Sequence, residues 1–262
     1  KEFLTYRDLR RLHMKIAVCG KGGSGKSTVT TLLGRYLAKQ GKEVLIIDSD
    51  ESNYGLHRHL GMDNPVDFTE YFGGKQEALS DLMASQFSYQ FIKETWKIKD
   101  IPEKYYTESD GIKLMVSGKI KQVNEGCSCT MGAIIKQFVA NLQMEDNQIA
   151  ILDMEAGIEH FGRGIDDEVD VILMVCDPAY ESVQFLHKID ELGKSIGKTV
   201  YFVLNKMTPE AAEVIKKEIA DSERILAVLP VNPEIQSSAL KGGKIEIGET
   251  ESDEIRKIAE KL

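Results

Sequence analysis

Residues 20–28 read Gly-Lys-Gly-Gly-Ser-Gly-Lys-Ser-Thr and follow directly on the apolar run 15–19. A strand, then GxxxxGK[ST], then a helix is the arrangement of a phosphate-binding loop, and it constrains fold and chemistry together. The glycines let the backbone turn its N–H groups inward around phosphate oxygens, and the helix N-terminus adds its positive end. In such a loop Gly22, Gly23, Ser24, Gly25, Lys26, Ser27 and Thr28 surround the nucleotide phosphates. Lys26 is placed to reach the β- and γ-phosphates, and the Ser27 hydroxyl to ligate Mg²⁺. A plain glycine turn is the competing reading, and the strand before it and the helix starting at Ser27 weigh against it. The chain is expected to bind a nucleoside triphosphate.

The rest of the chain has the pattern such a loop requires. Near-continuous apolar runs at 15–19, 43–48, 112–117, 149–153, 171–176, 199–204 and 225–229 suit parallel strands buried on both faces. Amphipathic segments at 27–40, 131–142, 180–193, 208–220 and 252–262 fall between or after them. The expected architecture is α/β: a single domain with a mostly parallel, roughly seven-stranded sheet flanked by helices on both faces. It spans 14–262, with a helical insertion around 61–110 that holds the only tryptophan, Trp96. Residues 1–13 read as an extension ahead of a natural start at Met14. The 42 acidic against 33 basic residues argue against nucleic acid as a partner. Four cysteines are too few for a secreted disulfide scaffold and suggest a reducing, cytoplasmic setting. No apolar run approaches the ~20 residues of a membrane span, and the mixed-charge terminal segment suits docking onto the domain better than a membrane surface.

Two further acidic strand ends belong to the same edge of the sheet. The second strand closes in Asp48-Ser49-Asp50, and the fourth, 149–153, is a Walker B pattern ending in Asp153, a Mg²⁺-holding position. The loop's KGGxGKST form, with the extra lysine Lys21, resembles the deviant Walker A motif of the MinD/ParA/nitrogenase-iron-protein class. That resemblance implies that Lys21 contacts the partner subunit's nucleotide in an ATP-driven homodimer. It implies too that Asp48 takes the Mg²⁺ side and Asp50 orients the attacking water. Gly157 would present its N–H to the γ-phosphate as part of a switch. Asn205-Lys206 and Pro230-Val231-Asn232 fit the class's adenine pocket. Asn205 offers the donor and acceptor an adenine edge needs, and no guanine-reading NKxD acid is present, which favours ATP/ADP over guanine nucleotides.

After Asp153 the string Met-Glu-Ala-Gly-Ile-Glu-His-Phe-Gly-Arg-Gly carries Glu155 where partitioning members of the class usually have proline. The whole stretch DMEAGIEHFGRG resembles the CooC-type ATPases that mature nickel carbon monoxide dehydrogenase, across essentially 14–262.

Cys19 and Cys176 lie in apolar strands, as free cysteines usually do. Cys127 and Cys129, in Gly-Cys-Ser-Cys-Thr, stand just before a helix, whose N-terminus favours thiolate. Soft-metal sites generally want four ligands, and a two-fold dimer of such pairs supplies them. Incidental loop cysteines and a redox-active disulfide, tight for so short a loop, are the other readings. Four sulfurs suit Zn²⁺ or an iron–sulfur cluster at least as readily as Ni²⁺, so nickel follows from the CooC resemblance alone. His57 and His59, two apart, would point to different faces of a helix, and a metal role for His160 has little support.

The resulting expectation is an ATP-hydrolysing, cytoplasmic, homodimeric nickel chaperone whose client is a metalloenzyme such as nickel carbon monoxide dehydrogenase. The alternatives are an iron–sulfur ATP-dependent reductase resembling nitrogenase iron protein and a MinD/ParA-type positioning ATPase.

Overall fold

Alternating short apolar runs and amphipathic helices produce a three-layer α/β arrangement in the computed structural model, which describes residues 13–50, 54–119, 128–154 and 168–262. Among these the chain runs β1 (Met14–Cys19), α1 (Lys26–Lys39), β2 (Glu43–Asp48), α2 (Leu56–Leu60), α3 (Lys75–Ala84), β3 (Tyr106–Ser109), β4 (Ile112–Val116) and α4 (Ser128–Asn141). It continues through β5 (Gln148–Asp153), β6 (Val171–Cys176), α5 (Tyr180–Ser195), β7 (Thr199–Met207), α6 (Pro209–Lys216), β8 (Ile225–Pro230), α7 (Pro233–Leu240) and α8 (Glu249–Lys261).

The strands form one eight-stranded sheet in the order β3-β4-β2-β5-β1-β6-β7-β8. All neighbours are parallel except β3, which pairs antiparallel with β4. The chain winds from β1 towards β2 and β4 on one side, returns through β5, and then fills the other side with β6, β7 and β8. In open sheets of this kind ligands bind beyond the carboxyl ends of the strands near such a reversal.

Period-two alternation divides the strand residues between two cores. Along β1, Ile16 and Val18 face one cluster with Leu32, Leu33, Ile255 and Ile258, whereas Ala17 and Cys19 face the other with Phe68, Ile135, Phe138 and Leu186. The terminal helix α8 therefore docks on α1 and β8, with Ile255 and Ile258 fully buried and Glu254 accepting from the Val228 amide at 2.7 Å. No helix among the described residues is long and apolar enough to cross a membrane.

Three elements differ from the sequence reading. The edge strand β3 brings the count to eight; it turns back on β4 through Asp110 and Gly111, both at positive φ. Residues 61–110 are only partly helical: besides α3 they contain short 3-10 turns at Phe68–Phe72, Ile98–Asp100 and Glu103–Tyr105. Aromatic packing organises this region, with the Phe68 ring edge-on to Phe72, Trp96, Tyr105 and Phe138 at 5.2–5.9 Å. Helix α7 lies in a stretch to which the sequence pattern assigns no element, started by Asn232, whose side chain accepts from the Glu234 and Ile235 amides ahead of Pro233.

A second capped helix gives a simple stability test. Thr208 accepts from the Ala211 amide at 3.2 Å at the start of α6. Thr208→Ala is expected to cost about 1 kcal/mol, read as a lower urea midpoint with an unchanged slope.

Candidate nucleotide site

The phosphate loop is shaped by two glycines with no room for a side chain. At Gly20 a Cβ would collide with the Val175 carbonyl of β6 and the Ser24 hydroxyl. At Gly25, which opens α1 at φ 96°, a Cβ would collide with the Asn205 amide. No side chain caps α1, so its first-turn amides remain available to an anion. Gly22, Gly23 and Ser24 complete the loop, with the Ser24 amide donating to the Lys21 carbonyl at 3.1 Å.

Lys26 is the first residue of α1; its ammonium is buried and lies 4.0 Å from Asp50 Oδ2. Ser27 and Thr28 follow in the first turn. Lys21 instead lies on the surface, with its Nζ 3.4 Å from Glu181 Oε2 in the first turn of α5.

The three carboxylates converge. Asp48 and Asp153 end adjacent strands in direct register, and Val18, one residue before the end of β1, pairs with Asp153 from the other side. Asp153 is wholly buried, with the Ser27 hydroxyl beside its carboxylate and neither oxygen in a well-formed hydrogen bond. Burial pushes its carboxyl up to about 6, against the pull of the Ser27 hydroxyl and the Lys26 cation. Burial likewise pushes Asp48 up to about 7, opposed by Lys119 and aided by Asp153 and Asp50. A buried carboxylate pair with one member in no well-formed hydrogen bond, beside a helix N-terminus, is the donor set a hard divalent cation with phosphate and water ligands requires. The residues fit Mg²⁺, with Ser27, Asp48 and Asp153 to hold it; the ion would neutralise charge on the phosphates.

On the far side of α1 a cavity of about 310 Å³ is lined by Gly25, Thr28, Asn205, Lys206, Pro230 and Asn232, among others. Of the residues expected to take the base, Asn205, Lys206, Pro230 and Asn232 line this cavity, and Val231 is exposed between the last two. Asn205 also contacts the loop: its Nδ2 donates to the Ser24 carbonyl at 2.8 Å, and Lys206 Nζ donates to the Gly23 carbonyl at 2.7 Å. The end of β7 thus braces the phosphate loop, a long-range contact no motif announces.

Sequence reasoning also missed Lys119, whose buried ammonium donates to Asp48 at 2.7 Å. The available signal was a lysine three residues past a buried strand, at the edge where ligands bind.

Cys129 stands half-buried at the start of α4, beside a groove of about 660 Å³ that includes Phe87, Tyr89 and Lys136, and is disulfide-bonded. Cys19 and Cys176 are free and buried, and burial raises both thiols to about 12. Among the described residues no group of three or more His, Cys, Asp or Glu could hold a metal ion. Cys127, Gly157 and His160 lie outside the described residues.

With this geometry in view, residues 15–245 match the family of CobQ/CobB/MinD/ParA nucleotide-binding domains. The chain belongs to that family. It is 43% identical over 251 residues to an uncharacterized ATP-binding protein of Methanocaldococcus jannaschii, covering 95% of this chain and 99% of the other. It is 30% identical over 237 residues to the carbon monoxide dehydrogenase accessory protein CooC of Rhodospirillum rubrum, covering 87% and 88%. Its fold superposes on the septum site-determining protein MinD of Pyrococcus horikoshii, solved with Mg-ADP, at TM-score 0.68 and 18% identity over 95% and 96% of the two chains.

Proposed function

We propose that this chain is a homodimeric ATPase that couples hydrolysis to the handling of a thiolate-bound metal cargo, nickel, for a client metalloenzyme such as carbon monoxide dehydrogenase. The observation that carries the ATPase part is the convergence of Lys26, Asp48, Asp50 and Asp153 on one buried edge beneath a preformed phosphate loop. Lys26 would stabilise charge on the transferring phosphoryl oxygens, Ser27, Asp48 and Asp153 would hold Mg²⁺, and Asp50 would orient the attacking water. Lys21, now on Glu181, would exchange that partner for the nucleotide of a second subunit. Gly157 would sense the γ-phosphate, and Asn205, Lys206 and Pro230–Asn232 would receive the adenine.

The metal part rests on the Cys127-Ser128-Cys129 sequence at the start of α4 and on the likeness to CooC. Reduced, two such pairs across a dimer give the four soft ligands one metal ion wants. Reduced wild-type protein is expected to bind one Ni²⁺ per dimer. Cys127→Ala and Cys129→Ala should each lose that ion and still bind ADP. Full metal stoichiometry in either variant, by titration and elemental analysis, sinks the shared site. The superposition on MinD favours a second reading, a MinD/ParA-type positioning ATPase. That reading requires a reduced wild-type dimer that turns over ATP and binds no metal at the cysteines. An iron–sulfur reductase would instead be brown and iron-loaded after anaerobic purification.

A further inference from the structure

Lys119 lies at the carboxyl edge of the sheet, three residues beyond the end of β4, with its side chain 3% exposed. Its ammonium donates to Asp48 Oδ2 at 2.7 Å and to the Asp50 carbonyl at 2.6 Å. A buried ammonium is tolerated only when it is paired and hydrogen-bonded. Here its partners belong to Asp48 and Asp50, beside the phosphate loop, while Asp153, opposite Asp48 in register, has neither oxygen in a well-formed hydrogen bond. One carboxylate of the pair is therefore already bound to a cation of the protein's own.

We propose that Lys119 is a positioning residue of the nucleotide site: an internal cation that holds Asp48 and Asp50 in place and gives up Asp48 when a magnesium nucleotide binds. The argument is competition for one oxygen. A divalent ion served by Asp48 and Asp153 and an ammonium 2.7 Å from Asp48 repel one another and seek the same lone pairs. The proposal rests on the nucleotide reading of the loop and is independent of any metal at the cysteines.

The backbone around Lys119 ties this exchange to the rest of the domain. The Lys119 amide donates to Asp67 Oδ2 at 3.3 Å, and the Thr69 amide donates to the Ser117 carbonyl at 3.1 Å. Lys75 Nζ donates to the Lys119 carbonyl. Between them Gly118 is so closely packed that a Cβ there would lie 2.8 Å from Met131 Sδ, on the first turn of α4, and 3.1 Å from Thr69 Oγ1. Phe68, in the same turn as Thr69, meets Trp96 edge-on at 5.9 Å. Release of Lys119 therefore loosens the Asp67–Thr69 contacts and perturbs the only tryptophan.

Hydrogen exchange and Trp96 fluorescence test this on the wild-type protein with ADP alone and with Mg²⁺ and ADP, binding being followed separately by calorimetry. Magnesium ADP, but not ADP in chelator, is expected to speed exchange of the Thr69 and Lys119 amides about tenfold and to shift Trp96 emission. In Lys119→Met the amides should exchange fast from the outset and, at nucleotide concentrations that calorimetry shows to be saturating for that variant, the Trp96 response should vanish; Lys119→Arg should restore the response. Calorimetric binding of magnesium ADP to wild type without faster exchange at these amides overturns the displacement, even if Lys119→Met does not fold. A full Trp96 response in a folded Lys119→Met protein overturns it as well. Absence of any ADP binding by wild type overturns the nucleotide reading and, with it, this one.

Discussion

A Lys26→Ala protein is expected to hydrolyse ATP about 10²–10³-fold more slowly than wild type while remaining folded. The Lys26 side chain is 6% exposed and fixed at the head of α1, 4.0 Å from Asp50. A charge held in place in a water-poor pocket stabilises developing phosphoryl charge without reorganising at the moment of reaction, which is why its loss falls on turnover. Alanine is the best helix former, and the position is the first of the helix, so the backbone tolerates the change. Phosphate release at saturating magnesium ATP, with a circular dichroism control, measures the effect. A rate within about threefold of wild type removes Lys26 from the reaction.

Asp153→Asn is expected to uncouple stability from function. In the nucleotide-free protein burial pushes the Asp153 carboxyl up to about 6 and Asp48 up to about 7, against about 3.9 in an unfolded chain. The folded state thus keeps protons that the unfolded state releases. The resulting stability is fully present below about pH 4 and is lost as pH rises through 6 to 7. Between pH 5 and pH 8 these two groups make the nucleotide-free protein less stable as pH rises. The asparagine would carry no charge to bury, so the variant should be about 2–3 kcal/mol more stable than wild type at pH 8, with a flatter profile. The same variant should lose the Mg²⁺ dependence of ADP affinity. Chemical unfolding at pH 5 and pH 8, with and without magnesium ADP, checks both halves. An Asp153→Asn protein less stable than wild type at pH 8, or one with wild-type Mg²⁺ dependence, removes Asp153 from the cation site.

The parts of the site legible in the sequence are those encoded by a strand and the few residues after it. The loop at 20–28, Asp48-Ser49-Asp50 and Asp153 each sit at the end of an apolar run, so finding the run finds the residue. Lys119 and the Asn205–Ser24 bond depend on which strands become neighbours, and that information is spread over the whole chain. Lys119 had an edge-of-sheet signal and no motif. Strand β3 escaped because Tyr106–Ser109 is short and half-exposed, although Asp110-Gly111 is a recognised hairpin turn pair. Helix α7 escaped because Asn232-Pro233 suits a place near the base as well as a helix start, and the same two residues form both. Residues 61–110 carry no single period because the rings around Phe68, not a helical stripe, hold them together.

The bond from Asn205 to the Ser24 carbonyl ties together the two regions expected to meet opposite ends of a nucleotide. One carboxamide on β7 faces the cavity expected to take the base and also sets the curvature of the loop expected to take the phosphates. Discrimination among bases and grip on phosphates are then not separate inventions that evolution could tune one at a time. A relative that changed its base by changing this residue would have to rebuild the loop in the same step.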